Sequence, residues 1–121
     1  MKISVCMATY NGEKYIKEQL DSILCQIVEN DEVIISDDSS TDNTVEIINA
    51  FNDDRIKIYK NEKEKGYTRN FENALEKASG DIIFLSDQDD IWIEDKVKKM
   101  TEILENYDFV VSDNSIVNEN L

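Results

Sequence analysis

The sequence has no histidine and no proline among its 121 residues. Without histidine, neither a Ser-His nor a Cys-His nucleophile pair can be built, and most protein zinc sites are excluded as well. The only glycines are Gly12, Gly66 and Gly80, which rules out both a dinucleotide-binding fingerprint and a P-loop. Chemistry in this chain must therefore use carboxylates, hydroxyls, an arginine and a hard metal ion.

Cysteine and positive charge are also scarce. Cys6 lies in an apolar strand-like run and Cys25 on a helical pattern, so both are expected to be small core residues in a reducing compartment. The 27 acidic residues outnumber the 13 basic ones, giving a net charge of −14. This argues against nucleic acid and anionic membrane surfaces as main partners, because phosphate contacts need clustered lysine and arginine.

Long hydrophobic runs are absent too. No run approaches the roughly 20 apolar residues of a membrane span, and residues 1–5 are typical of a strand rather than of a signal peptide. We therefore expect a cytoplasmic protein, with membrane association of a longer chain left open. The length suits one domain over residues 1–121. Residues 112–121 end without completing a helix or strand, which suggests a cut through a larger domain.

The hydrophobic period alternates between that of strands and that of helices. Strands are predicted at residues 3–8, 32–35, 56–59, 82–85 and 109–111. Gly80 is predicted to end the third helix as a C-terminal cap. Because each strand is a continuous apolar run, the pattern predicts an α/β fold with a mostly parallel sheet and helices on both faces. The predicted helical stripes are Ile16, Leu20, Ile23, Leu24 and Ile27; Val45, Ile48 and Phe51; Phe71, Ala74, Leu75 and Ala78; and Val97, Met100, Leu104 and Tyr107.

Polar residues follow three of the predicted strands, where ligands bind in open parallel sheets. These segments are residues 9–11, 37–42 and 86–90. The last segment places three carboxylates in four positions, and each close pair repels by roughly 1 to 4 kcal/mol. A hard divalent cation with oxygen ligands would offset that repulsion; the alternative is a solvated acidic turn in which Asp90 caps the next helix. An EF-hand loop starting at Asp38 fails, because Asn43 stands where glycine is required.

Three segments resemble the leading motifs of family-2 glycosyltransferases, in order and over essentially the whole chain. They are residues 4–12 (Ser-Val-Cys-Met-Ala-Thr-Tyr-Asn-Gly), 35–44 (Ile-Ser-Asp-Asp-Ser-Ser-Thr-Asp-Asn-Thr) and 84–92 (Phe-Leu-Ser-Asp-Gln-Asp-Asp-Ile-Trp). The resemblance implies the Rossmann-like, doubly wound fold of GT-A nucleotide-diphosphosugar transferases. It also implies inverting transfer of a sugar from a UDP- or dTDP-linked donor to a saccharide or lipid-linked acceptor. The Asp-Gln-Asp-Asp-Ile-Trp form resembles rhamnosyltransferases and related enzymes of cell-surface polysaccharide synthesis.

The resemblance also implies roles for the acidic residues. Asp87 and Asp89 match the family's Asp-x-Asp motif. Asp89 would ligate Mn²⁺ or Mg²⁺ on the donor diphosphate, and Asp87 would contact the metal or the ribose. Asp38 would accept a hydrogen bond from an N–H of a pyrimidine ring.

Further donor-binding residues are expected at Thr9, Tyr10, Asn11 and Arg69. Tyr10 would lie against the base; it could equally be an amphipathic residue at the rim of the core. Arg69 would add positive charge near base or phosphate, or else pair on the helix surface with Glu72 or Glu76. Three other polar residues are favoured as helix caps rather than ligands, and Trp92 is favoured as packing. The expected caps are Ser40, Asp42 and Asn43.

The family's catalytic base is a carboxylate in the second half of the domain, which is expected beyond Leu121. Residues 1–121 are therefore expected to bind donor without transferring sugar, and an exposed apolar face is expected to favour self-association of this fragment. One rival is a receiver-like acidic Mg²⁺-binding module. In receivers the acidic pair follows the first strand and a lysine follows the fifth, whereas here the pair follows the second. A non-catalytic nucleotide-binding or scaffold domain is the third alternative.

Overall fold

Strands and helices alternate along the chain, as the sequence predicts. The computed structural model describes residues 2–87, 92, 96–104, 110–112 and 116–118. Four parallel strands form one sheet in the order β3-β2-β1-β4, so the strand order reverses between β1 and β4. The elements are β1 (Ile3–Thr9), α1 (Ile16–Leu24), β2 (Glu32–Asp37), α2 (Thr44–Ala50), β3 (Ile56–Lys60), α3 (Tyr67–Lys77), β4 (Ile82–Asp87), α4 (Lys96–Leu104), β5 (Val110–Ser112) and β6 (Ile116–Asn118).

The main hydrophobic core lies between the sheet and the helices α1, α2 and α4. Because alternate residues of a strand point to opposite faces, Val5, Val33 and Phe84 share this face, and the register places them side by side. Helical residues at the predicted spacing complete the core. They are Ile16, Leu20 and Ile23 of α1, Ile48 of α2, and Val97 and Met100 of α4.

The opposite face of the sheet has a smaller core formed by Cys6, Ile34 and Ala74. Helix α3 packs there on β1 and β2. Ile83 and Leu85 of β4 lie on the same face and are 46% and 47% exposed. The apolar run at residues 82–85 is therefore not buried at these two residues, because β4 is an edge strand of the described sheet and α3 does not cover it.

Several other predictions need correction. Within the described residues, the expected fifth strand does not extend the parallel sheet; β5 instead pairs antiparallel with β6, which was not predicted. Cys25 is exposed rather than a core residue, and Leu75 is 37% exposed. Tyr107 lies outside the described residues. No helix in the described part of the chain is long and apolar enough to cross a bilayer.

Gly80 does not cap α3, contrary to the prediction. The helix ends at Lys77, and Ala78 already has an extended backbone. Gly80 instead lies against β1, where an added Cβ would stand 2.6 Å from Ser4 Oγ and 2.8 Å from Ser4 N. Glycine is needed here because the two backbones approach too closely for a side chain.

A buried carboxylate stabilises the amino-terminal edge of the sheet. Glu32 is 2% exposed, and its side chain accepts hydrogen bonds from Ser4 Oγ at 2.6 Å, Ser79 N at 2.8 Å and Lys57 Nζ at 3.1 Å. Burial alone would raise the pKa of the Glu32 carboxyl. The hydrogen bonds from Ser4, Ser79 and Lys57 outweigh burial and lower that pKa from 4.5 to about 2.

This cluster predicts acid-dependent stability. Because the folded-state pKa of Glu32 is depressed, its contribution is fully present above pH 4.5 and is lost as the pH falls toward 2. We expect a contribution on the order of 2 to 3 kcal/mol to the free energy of unfolding. Urea titrations of the wild type and Glu32→Gln at pH 6, 4 and 3 measure it. The difference between the two proteins should shrink with falling pH; a constant difference would contradict the assignment.

Candidate functional site

The carboxyl ends of β1, β2 and β4 lie side by side. In the register, Thr9 pairs with Asp37, and Ala8 pairs with Asp87. The strand order reverses between β1 and β4, so this edge is the topological switch point at which open α/β sheets bind ligands. The structure thus brings together the three motif-bearing strand ends, although Asp89 lies outside the described residues and only the backbone of Asp87 is described.

Asp37 is a buried carboxylate that closes the turn after β2. Its Oδ1 accepts hydrogen bonds from Thr9 Oγ1 at 2.7 Å and Ser40 Oγ at 2.6 Å, and its Oδ2 accepts one from Ser40 N at 2.9 Å. Thr9 is only 1% exposed, so its hydroxyl serves this internal bond. Its direct contact with a ligand stays a prediction.

Asp38 is a buried acidic residue whose carboxylate is held in place and can accept a further hydrogen bond. It is 8% exposed. Its Oδ1 accepts a hydrogen bond from Asn61 Nδ2 at 3.0 Å, and its Oδ2 accepts one from Gly66 N at 2.9 Å. Two carboxylate oxygens offer about four acceptor positions, so capacity remains for a further donor. Gly66 has φ +128°, a conformation that favours glycine and brings its N–H to Asp38.

Tyr10 directly follows β1, and the carbonyl oxygen of the preceding residue, Thr9, accepts a hydrogen bond from Asp38 N at 2.9 Å. It is 45% exposed, and Lys65 Nζ lies 5.1 Å from its ring centroid, within the range of a cation–π contact. Tyr10 is thus a half-exposed aromatic residue at the rim of the site, with Lys65 over its ring. Lys65 brings positive charge to that surface from the loop that follows β3.

Asn11 joins two turns of the site. Its backbone is left-handed, with φ 48°, a region that asparagine tolerates better than most residues. Its Oδ1 accepts a hydrogen bond from Thr41 N at 2.8 Å, and its own N donates one to Ser40 Oγ at 2.9 Å. Asn11 therefore fixes the turn after β1 against the turn after β2.

Of the three expected helix caps, only Asp42 acts on α2. Its Oδ1 accepts hydrogen bonds from the backbone N and the hydroxyl of Thr44. Asn43 makes no side-chain capping bond. The Ser40 hydroxyl donates to Asp37 instead, so the capping prediction is wrong for Ser40 and Asn43.

Arg69 adopts the surface alternative. Its Nη1 lies 2.9 Å from Glu72 Oε2, and both side chains are about half exposed. Exposed pairs of this kind contribute little, typically 0 to 1 kcal/mol, so a bound anion could compete for the guanidinium. Arg69 lies in the first turn of α3, directly before Asn70, which reaches the end of β1.

Two asparagines of this region, Asn61 (half-buried) and Asn70 (buried), escaped prediction. Asn61 follows β3 and bonds to Asp38. Asn70 is 2% exposed and donates from Nδ2 to Thr9 O at 3.2 Å, while its Oδ1 has no hydrogen-bond partner within the described residues. Such an acceptor costs about 1 to 3 kcal/mol unless water or a ligand donates to it. The only sequence signal was a polar residue within an otherwise apolar helical stripe.

The ligand atoms that this edge of the sheet offers fit a hard divalent cation. The described residues contain no group of three or more metal-ligating side chains, and residues 88–90 lie outside them. The acidic stretch nevertheless offers only oxygen ligands, and the chain has no histidine. Carboxylate oxygens suit Mn²⁺ and Mg²⁺, so the residues present fit the predicted ion by type.

Comparison with known proteins places these features in a family. Residues 4–120 match the family model of Glycosyl transferase family 2. The chain is 37% identical over 120 residues to the Escherichia coli UDP-Glc:alpha-D-GlcNAc-diphosphoundecaprenol beta-1,3-glucosyltransferase WfgD, covering 98% of this chain and 47% of that protein. It is 42% identical over 105 residues to the dTDP-rhamnosyl transferase RfbG of Shigella flexneri, covering 81% and 36%.

Solved structures agree with this relationship. TarS (residues 1–349) of Staphylococcus aureus in complex with UDP has a TM-score of 0.77 and 32% identity, covering 89% of this chain and 33% of that one. The mannosyltransferase PcManGT of Pyrobaculum calidifontis, solved with GDP-Man and Mn²⁺, has a TM-score of 0.76 and 27% identity, covering 84% and 32%.

The chain thus spans less than half the length of the relatives it matches. Within that span the match is nearly continuous, since the family model covers residues 4–120. The parallel sheet, the converging strand ends and the matched sequence all agree with the α/β Rossmann-like fold of GT-A transferases. The chain belongs to glycosyltransferase family 2.

Proposed function

We propose that residues 1–121 bind the donor in an inverting glycosyltransferase. Its donor is a UDP- or dTDP-linked sugar, and its acceptor is a saccharide or lipid-linked glycan precursor of a cell-surface polysaccharide. The observation that carries the proposal is the meeting of Thr9, Asp38 and the end of β4 at the switch point of the sheet. The names of WfgD and RfbG support UDP and dTDP donors, respectively.

Asp38 and Tyr10 form the base-recognition part of this proposal. The carboxylate is nearly buried, and Asn61 and Gly66 fix its orientation. A negatively charged acceptor held in this way favours the ring N–H of uracil or thymine, because a charge-assisted hydrogen bond is stronger than a neutral one. The ring of Tyr10 offers the base a stacking surface. Lys65, which lies over that ring, would move aside when the base binds.

Asp89, together with Asp87, would hold Mn²⁺ or Mg²⁺ against the donor diphosphate. The bound cation would neutralise charge on the departing nucleotide diphosphate. A chain with a net charge of −14 needs such local compensation to hold a polyanion. The Mn²⁺ in the PcManGT complex supports this use of a divalent cation, while the choice between Mn²⁺ and Mg²⁺ belongs to the proposal.

The other predicted residues contact the donor or hold the turns of the site in place. Arg69 exchanges its exposed partner Glu72 for the donor, and Asn11 and Thr9 hold the turns on which Tyr10 and Asp38 stand. The base that activates the acceptor hydroxyl is proposed to lie outside residues 1–121. A general base contributes about 10²- to 10⁴-fold, so this polypeptide alone binds nucleotide without measurable sugar transfer.

We further propose a cytoplasmic location, with membrane association of the longer protein. Cys6 and Cys25 are free thiols, a state that persists in reducing compartments. The lipid-linked acceptor in the name of WfgD supports action next to a membrane. Fractionation of cells that express the natural protein, followed by thiol labelling, tests this assignment.

Asp89→Asn tests the metal site. Calorimetry with UDP and dTDP, with and without Mn²⁺, should show nucleotide binding that Mn²⁺ strengthens in the wild type. The variant should bind in the presence of Mn²⁺ roughly 10- to 100-fold more weakly, since it loses a charged ligand oxygen. Asp54→Asn, which removes an exposed charge near the start of β3, serves as the control. Equal Mn²⁺-dependent binding by Asp89→Asn removes Asp89 from this role.

Asp38→Ala tests base recognition. The wild type should prefer UDP and dTDP over ADP, and the variant should lose about 1.5 to 3 kcal/mol of that preference. Because Asp38 also binds Asn61 and Gly66, Asp38→Asn is measured beside it; it keeps the size and one acceptor oxygen but loses the charge. Thermal melts check that both variants fold. Wild-type protein that binds ADP as well as UDP would refute the assignment.

A further inference from the structure

Three polar side chains of α1 and the turn after it form hydrogen bonds with residues before, within and after the connection between β4 and α4. They are Gln19, Ser22 and Gln26, spaced three and four residues apart, so they lie on one side of the helical segment. The acidic segment, residues 87–91, consists of the last residue of β4 and the first four residues of that connection. None of these three side chains has a part in the donor site described above.

The first group of hydrogen bonds that anchors the acidic segment is buried at Ser86, directly before the segment. Gln19 Nε2 donates to Ser86 Oγ at 2.9 Å, and Trp92 Nε1 donates to the same oxygen at 3.2 Å. All three residues are at most 4% exposed. The Trp92 ring also contacts Phe84 of β4, with ring centroids 5.5 Å apart. Residues 86 and 92, which flank the acidic segment, are thereby fixed to each other and to α1.

The second group of hydrogen bonds fixes the chain after the acidic segment, at Trp92 and Val97. Trp92 N donates to Ser22 Oγ at 2.9 Å, and Val97 N donates to Gln26 Oε1 at 2.9 Å. Val97 is the second residue of α4, where backbone N–H groups have no partner inside the helix. Gln26 therefore caps α4 from another element. Gln26 Nε2 also donates to Ser22 O at 3.1 Å, which joins the bonds into one network.

We propose that Gln19, Ser22 and Gln26 are positioning residues that hold the acidic segment ready for the donor's metal ion. This inference rests on the proposed function. Crowded carboxylates repel one another by roughly 1 to 4 kcal/mol per close pair and would spread apart if their flanks were free. Anchoring the flanks on a packed helix keeps the ligands near their binding arrangement before the ion arrives.

The same helix also borders the base-recognition part of the site. The chain between β1 and α1 carries Tyr10 and Asn11, and Gly12 N donates to Thr44 Oγ1 at 2.8 Å. Helix α1 therefore connects the segment that carries the base platform with the segment that carries the metal ligands. Its position sets the separation between the two parts of the site.

Gln19→Met tests the inference, because methionine has a similar size but cannot donate a hydrogen bond. Two affinities are measured by calorimetry on the 121-residue chain: UMP without metal, and UDP with Mn²⁺. UMP binding should change less than about twofold, whereas Mn²⁺-dependent UDP binding should weaken about 3- to 10-fold, as expected for one lost hydrogen bond. Gln26→Met, which loses the cap on Val97, should show the same split.

Trp92 provides a second readout, because it is the only tryptophan of the chain. Its emission should shift to the red in Gln19→Met, and quenching by added Mn²⁺ should require higher Mn²⁺ concentrations than in the wild type. Glu32→Gln is the matched control, since it loses a buried charge at the opposite edge of the sheet. It should lower the melting temperature without changing Mn²⁺ quenching.

The outcomes distinguish failure of the proposed function from failure of the positioning role. Wild-type protein without Mn²⁺-dependent UDP binding refutes the proposed function itself. If the wild type binds UDP with Mn²⁺ and both methionine variants keep its Mn²⁺ dependence, the positioning role is overturned. A parallel loss of UMP and UDP binding, as stability falls, also overturns it, because that result assigns the three residues a purely structural part.

Discussion

The pairing of β1 with two parallel neighbours is the constraint on which the rest of the structure depends. All residues of β1 are buried, and its register places Thr9 beside Asp37 and Ala8 beside Asp87. A slip of one residue would turn every side chain of the strand to the opposite face. It would move Val5 and Met7 out of the main core and separate the three strand ends that form the site.

The site combines carboxylates in two different states. Asp37 accepts three hydrogen bonds, from the Thr9 hydroxyl and from the hydroxyl and backbone N of Ser40, and it stabilises the loops. Within the described residues, Asp38 accepts one hydrogen bond at each oxygen, which leaves it more acceptor capacity. Neighbouring acidic residues in one motif thus differ in how many hydrogen-bond donors surround them, and the one with fewer is the one proposed to recognise the base.

The sequence allows accurate prediction where the signal is local. The apolar runs at residues 3–8 and 32–35 gave β1 and β2, and the spacing of Ile16, Leu20 and Ile23 gave the core face of α1. The exposure of Ile83 and Leu85 could not be predicted, because hydrophobicity does not reveal which neighbour covers a strand. Gly80 was misassigned for a similar reason, since its close contact with Ser4 joins residues that are distant in sequence.

The donor site shows the same division. Motif resemblance singled out Tyr10, Asp38 and Asp87, which lie at the strand ends that meet at one edge; their roles in donor binding stay predictions. It did not identify Asn61, Asn70 or Gln19, because their partners lie between 23 and 67 residues away. Periodicity classifies such residues only as polar positions on otherwise ordinary elements.

The strand order also has a kinetic consequence for assembly of the site. Strands β1, β2 and β3 are joined by successive crossovers, whereas β4 returns to pair with β1 from much farther along the chain, as Ile3 beside Ile82 shows. Closing that longer loop costs more chain entropy and slows folding. During synthesis the part of the site proposed to bind the base, with Tyr10 and Asp38, is complete in sequence before Asp87 emerges. The edge that carries the acidic segment is therefore the last part of the site to form.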